Sequence, residues 1–313
     1  MWTWRYDPGV AEGLFTIHPP AEDFGAAEVV GLRPGMGVAA AGALRDALWT
    51  HSIVCVRFDA PLADADARAL AEMIGPIKDP IGRTRTGGVL RYSEDRQIID
   101  AGFVLTDELR EQLGDVSFGG DSLRPGLFET FHTDDTYTEC PAVATVLHAR
   151  ELPSSPGGDT KFIDMRGAYR LLDAPTRSRL DGLRVVNAYN NGGAFPPRVP
   201  AEGLYEALVD VDHPLVRAHH ATGEPSLYLD LDRATRVAGI DEAEGWALLR
   251  SLQDHAERAA PRYAHRWRPN DVLIWDNSAV QHCAAGDFPV GEPRRFWRYM
   301  IEGPVPAAYA GGR

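Results

Sequence analysis

From Phe131 to the C-terminus the chain is written as short runs of β-branched and aromatic residues parted by turn clusters, a pattern that regular βαβ units do not produce. The runs predict strands at Val143–Ala149, Thr160–Asp164, Arg184–Tyr189, Leu215–His219, Leu227–Leu231, Val272–Trp275 and Arg294–Ile301. Turns such as Pro156-Gly157-Gly158-Asp159 and Thr222-Gly223-Glu224-Pro225 separate them. Helical spacing interrupts at Met165–Leu172 with Pro175–Asp181, and again at Glu242–Arg258. The expectation is a mainly β protein with flanking helices around a double-stranded β-helix, or jelly-roll, core.

Ahead of this region, Ser52–Phe58 reads as a strand, followed by a helix over Ala65–Ile74 with Asp64 as N-cap and Gly75-Pro76 as its stop. Between Pro80 and Phe128 the sequence is irregular and dense in Gly, Asp and Arg, with a short strand at Gln97–Ile99 and a helix at Asp107–Leu113. Excursions of that length often form lids or substrate walls. No repeat and no linker-like stretch divides the chain, so a single domain over residues 1–313 is expected, with a lid region at about 80–128 and a second at about 187–212.

Charge and cysteine usage narrow the function. A net charge of −13 disfavours nucleic acid and anionic membranes as partners, while leaving room for a local arginine pocket. Three well-separated cysteines, Cys55, Cys140 and Cys283, fit neither a disulfide framework nor a cysteine-based zinc site. With no signal-peptide pattern at Met1–Val10 and no long apolar run, the expected address is cytoplasmic.

The chemistry concentrates at two places. In Phe131-His132-Thr133-Asp134, residues two apart on extended backbone share a face, so His132 and Asp134 can converge on one ion. Asp271–His282 is a buried-looking strand, a turn and a histidine, and a late strand of a β-helix can return His282 to the same site. Two histidines and one carboxylate suit a non-haem Fe(II) oxygenase better than a closed zinc site. Twelve residues on, Arg294, Phe296 and Arg298 share one strand face, and a guanidinium turned into a barrel requires an anion.

These motifs in this order resemble the taurine/2,4-dichlorophenoxyacetate dioxygenase family of Fe(II)- and 2-oxoglutarate-dependent oxygenases. The resemblance runs over roughly residues 50 to 302. It includes Thr138-Glu139-Cys140-Pro141 after the His-x-Asp pair, Gly157-Gly158-Asp159-Thr160, His213-Pro214-Leu215-Val216-Arg217, Trp275-Asp276-Asn277 with His282, and Arg294-x-x-x-Arg298. It implies that His132, Asp134 and His282 hold Fe(II) and form the catalytic centre. Thr160 and Arg294 would bind the distal carboxylate of 2-oxoglutarate, with O2 as the other cosubstrate and succinate and CO2 as products. Arg294 is preferred to its neighbour Arg295 because it keeps the Arg-x-x-x-Arg spacing. A carboxylate ligand favours hydroxylation over halogenation.

Arg298 is then expected to read an acidic group of a small prime substrate, with Arg83, Arg91, Tyr92 and Asn190 as further contacts. Taurine itself is disfavoured, because relatives that oxidise it carry a His and an Asn in the segment that here, Asp79–Phe131, contains neither. Homo-oligomerisation is left open. His148, His219 and His220 read as structural histidines, and Cys283 as a small core residue facing away from His282. The competing expectations are a non-catalytic metabolite-binding jelly roll and a zinc hydrolase on the same scaffold.

Overall fold

The computed structural model describes residues 15–79, 91–92, 98–104, 131–189, 209–285 and 287–311. Its strands are β1 Thr16–His18, β2 Ala27–Val30, β3 Ile53–Arg57, β4 Arg91–Tyr92, β5 Ile99–Val104, β6 Ala144–Glu151, β7 Thr160–Asp164 and β8 Arg184–Asn187. They continue as β9 Val211–Pro214, β10 Val216–Ala218, β11 Pro225–Leu227, β12 Ala234–Val237, β13 Arg262–His265, β14 Val272–Asp276, β15 Val280–Ala284 and β16 Pro293–Ile301. The helices are α1 Val38–His51, α2 Asp64–Glu72, α3 Met165–Leu171, α4 Ala174–Leu180 and α5 Glu242–Ala259.

Among the described residues, eight strands form a large sheet in the order β1-β2-β3-β14-β6-β16-β5-β4, and β13-β7-β15 form a smaller one. The two face each other across a core of Ile53, Cys55, Leu147, Ala149, Phe162, Leu273, Trp275, Val280 and Phe296. Two further small sheets, β12-β8-β9 and β10-β11, complete the strands. The pleat explains why the central strands read as continuous apolar runs. Along β14, Leu273 and Trp275 enter the inter-sheet core, while Val272 and Ile274 meet α1 and α2 on the outer face. The helices α3, α4 and α5 cover a separate core with β8, β10, β11 and β12. In α5 the buried Gly245, Leu248, Leu249, Leu252, Gln253 and Ala256 recur at helical spacing, and the Asp241 carboxylate accepts from the amides of Ala243 and Glu244 at 3.0 and 3.2 Å.

Several expected boundaries move. Asp64 is the first residue of α2, not its cap; Ala63 caps it, and the Asp64 carboxylate accepts from Arg150 at 3.0 Å and Trp297 at 3.0 Å. The run Leu215–His219 is divided, because Pro214 ends β9 and Leu215 turns the chain into β10. The strand expected at Leu227–Leu231 lies earlier, at Pro225–Leu227, since the chain then tightens around the Asp230 carboxylate, which accepts from the Asp232 amide at 2.9 Å. The strand expected at Gln97–Ile99 begins at Ile99 and continues to Val104, where β16 supplies its ladder partner. The Asp107–Leu113 helix and most of both expected lid regions lie outside the described residues.

Candidate functional site

His132 reaches the barrel interior because a two-residue bridge ties it to β15: its amide donates to the His282 carbonyl at 3.0 Å, and the His282 amide donates back at 2.9 Å. That pairing sets the two imidazoles 4.4 Å apart, centroid to centroid. Asp134, two residues on, turns its carboxylate into the same space, with Oδ2 3.8 Å from His282 Nε2. One donor atom from each of the three residues lies within 4.8 Å of the others. His282 and Asp134 stand too far apart for a hydrogen bond to each other, and the gap suits a shared cation.

Strong fields act here. Burial by itself penalises the Asp134 carboxylate, yet His282, Arg298, His132 and the Thr145 hydroxyl outweigh it and hold the carboxyl well below its ordinary range. Burial, and then the neighbouring His132, lower His282 to about 3, so both donors are in the unprotonated form that a metal requires.

Beside Thr160 lies a buried cation. Arg294 is 5% exposed and has no carboxylate within ion-pair distance among the described residues. Its Nε donates to the Gly158 carbonyl at 2.8 Å and its Nη2 to Thr160 Oγ1 at 3.2 Å. The Gly157-Gly158 turn permits this approach: both have positive φ, and a Cβ on Gly157 would stand 2.4 Å from the Asp287 carbonyl oxygen. Burial lowers Arg294 to about 10, still charged at neutral pH. Thr160 Oγ1 also accepts from Trp267 Nε1 at 3.1 Å, so with two donors on its oxygen the hydroxyl proton is left for a further acceptor. Arg295 is on the other face, 3.4 Å from Glu151 at the surface.

Arg298 points to the His132–Asp134–His282 cluster, its Nη1 3.6 Å from Asp134 Oδ1. Its side chain is 30% exposed and its Nε is buried without a hydrogen-bond partner. Tyr137 is an electrostatic neighbour of Arg298; burial and Asp135 raise its hydroxyl well above the usual value. The guanidinium of Arg233 lies 4.7 Å from the Tyr137 ring and 5.5 Å from that of Tyr189. The backbones of Arg91 and Tyr92 form β4 against Asp100 and Ile99 at the edge of the large sheet; Arg83 and Asn190 lie outside the described residues.

Sequence reasoning missed Trp267, Thr145 and Arg233. The Trp267 and Thr145 side chains reach the site only through sheet packing, and no local motif marks them. Of the histidines read as structural, His219 is locked: Nδ1 accepts from the amides of Ala221 and Thr222 at 3.2 and 3.0 Å, so Nε2 carries the proton that meets Asp276 at 2.6 Å. His220 packs edge-on against Trp49 at 4.6 Å. His148 departs from expectation, since its buried Nδ1 has no hydrogen-bond partner. A second cluster, Cys55, His265 and Asp271, also has donor atoms within 4.8 Å of one another. Its charge is already matched: Asp271 accepts from Arg57 at 2.8 Å and from the Arg268 amide at 3.0 Å, and His265 lies 3.1 Å away.

The chain is similar to known proteins in sequence and in fold. A family model described as "Taurine catabolism dioxygenase TauD, TfdA family" matches residues 16–300. An alpha-ketoglutarate-dependent sulfate ester dioxygenase of Pseudomonas putida is 29% identical over 306 residues, 94% of this chain and 92% of the relative. An alpha-ketoglutarate-dependent 2,4-dichlorophenoxyacetate dioxygenase of Cupriavidus pinatubonensis is 31% identical over 227 residues, 71% of this chain and 75% of the relative. The crystal structure of a taurine dioxygenase from Burkholderia xenovorans superimposes with a TM-score of 0.72 at 25% identity, covering 96% of this chain and 93% of that one.

Proposed function

The chain belongs to the TauD, TfdA family of dioxygenases, and from that premise we propose that it oxidises a C–H bond of a small substrate bearing a sulfate, sulfonate or carboxylate group. As a member it is an Fe(II)- and 2-oxoglutarate-dependent dioxygenase with a jelly-roll core. In our reading His132, Asp134 and His282 hold the iron, a donor set of two imidazoles and one carboxylate that suits Fe(II). The bound metal supplies the oxidising chemistry, with O2 and decarboxylation of 2-oxoglutarate to succinate and CO2.

The protein's own groups bind and orient. Arg294 and the Thr160 hydroxyl take the distal carboxylate of 2-oxoglutarate, and Trp267 fixes the direction in which Thr160 donates. Arg298 keeps one Nη on Asp134 and offers its remaining donors to the anionic group of the substrate. One observation carries the cosubstrate assignment: Arg294 is a buried cation with no ion-paired carboxylate among the described residues, its Nη2 on the Thr160 hydroxyl, four residues along β16 from Arg298, which faces Asp134. A cytoplasmic, single-domain enzyme without nucleic-acid or membrane partners fits the acidic charge and the three free cysteines. Among the described residues no helix is long and apolar enough to cross a membrane.

The test is succinate release above the uncoupled background, with enzyme, Fe(II) and 2-oxoglutarate assembled anaerobically before O2 is admitted. The panel comprises alkyl sulfates, alkyl sulfonates and aryloxy carboxylates, each beside its neutral analogue. Stimulation by at least one anionic class and not by its neutral partner is expected. Stimulation by neutral analogues alone would reject the anionic reading, and wild-type turnover by His132→Ala would reject the ligand set.

A further inference from the structure

Asp134 ends a chain of hydrogen bonds in which every proton has one direction open to it. Trp275 Nε1 can only donate, and it donates to Asn277 Oδ1 at 3.0 Å. This fixes which way the Asn277 amide faces, so its Nδ2 is turned to Thr145 Oγ1 at 2.9 Å. The Thr145 oxygen is then an acceptor from Asn277, and its single proton goes to Asp134 Oδ2 at 2.5 Å. Trp275, Asn277, Thr145 and Asp134 are all buried, so water does not compete for these bonds. The other carboxylate oxygen, Oδ1, faces Arg298 at 3.6 Å, and the plane of the carboxylate is thereby held from both sides.

We propose that Thr145, oriented by Asn277 and Trp275, is a positioning residue that presets the Asp134 carboxylate and so determines how tightly this chain holds its metal. The inference rests on the assignment of His132, Asp134 and His282 as ligands. The three parts come from separate elements: Thr145 from β6, Trp275 from the end of β14, and Asn277 from the turn into β15 that brings in His282. Thr133, between the two proposed ligands, ties the same turn down through its hydroxyl, 2.9 Å from the Val280 carbonyl and 3.2 Å from that of Asn277. One turn therefore carries both the third ligand and the amide that orients the carboxylate.

Co(II) titrated into the metal-free full-length protein without cosubstrate, read by visible absorption and by dissociation constant, tests this independently of turnover. Thr145→Val keeps the shape and removes the donor. It should weaken Co(II) binding roughly 10- to 100-fold, the usual consequence of losing an outer partner of a metal ligand, and shift the absorption band. Thr145→Ser should bind as wild type does. Asn277→Asp offers Thr145 only acceptors and draws the hydroxyl proton away from Asp134, so it should weaken Co(II) as Thr145→Val does, and the double variant should be no weaker than either single one. Thr145→Val and Asn277→Asp that fold, by melting curve, yet keep wild-type affinity and spectrum would overturn the proposal. His132→Ala separates the two levels: loss of Co(II) there upholds the ligand set whatever Thr145 does, while wild-type Co(II) affinity in His132→Ala would remove the ligand set and the proposal with it.

Discussion

Arg294 is buried with no carboxylate in ion-pair contact among the described residues, whereas Arg295 pairs with Glu151 at the surface, 3.4 Å away. Losing the buried, charge-assisted contact should cost about 3 kcal/mol, so Arg294→Ala is expected to raise the KM for 2-oxoglutarate roughly 100-fold. Arg295→Ala should leave it within about twofold, because exposed ion pairs contribute little. Steady-state kinetics with varied 2-oxoglutarate checks both. Trp267 makes a finer point. Trp267→Phe keeps an aromatic ring against Phe296 but removes the donor that directs the Thr160 hydroxyl. A loss of about 1 kcal/mol, a KM several-fold higher with kcat little changed, is expected.

At the level of elements, α5 illustrates how local rules set a boundary. Asp241 caps it, Glu242 and Glu244 occupy the first turn and Arg258 the last, all in accord with the helix dipole. Asp241→Ala should therefore cost about 1 kcal/mol and lower Tm by about 2 °C, measured by thermal denaturation, with 2-oxoglutarate KM unaffected. By contrast β4, β5 and β9 draw their existence from pairing: β5 is laid down along β16, and β9 along β8. Their sequences are weakly patterned, which is why the sequence suggests a strand at Gln97–Ile99 where the ladder runs from Ile99 to Val104.

Across the whole molecule, the buried Asp276–His219 pair sits where the chain passes from the large sheet, at the end of β14, to the small one. Burial penalises the Asp276 carboxylate, but His219, His220 and Arg166 more than offset it and bring the carboxyl down to about 2 in the folded protein. A group with a depressed folded pKa contributes stability that is complete above its unfolded value near 4 and is lost as pH falls through about 2. Denaturant titrations at pH 7, 4 and 3 should show wild type losing about 1 kcal/mol more than Asp276→Asn over that interval, with the variant the less stable of the two at pH 7. A wild-type acid limb as flat as that of Asp276→Asn would remove this pair as its cause.

The sequence by itself determined the class of fold and the chemistry of the site. Alternation and turn residues are local and dictate strands, and the spacing in His132-x-Asp134 and Arg294-x-x-x-Arg298 places like-facing side chains without reference to the rest of the chain. Only the tertiary structure decided what completes that chemistry. The bridge from His132 to His282 joins residues far apart in the chain, Trp267 meets Thr160 from the segment that follows β13, and Thr145 of β6 meets Asp134 in the turn after that bridge. Each joins segments distant in sequence that sheet pairing and core packing bring together, and such contacts leave no periodic trace in the sequence.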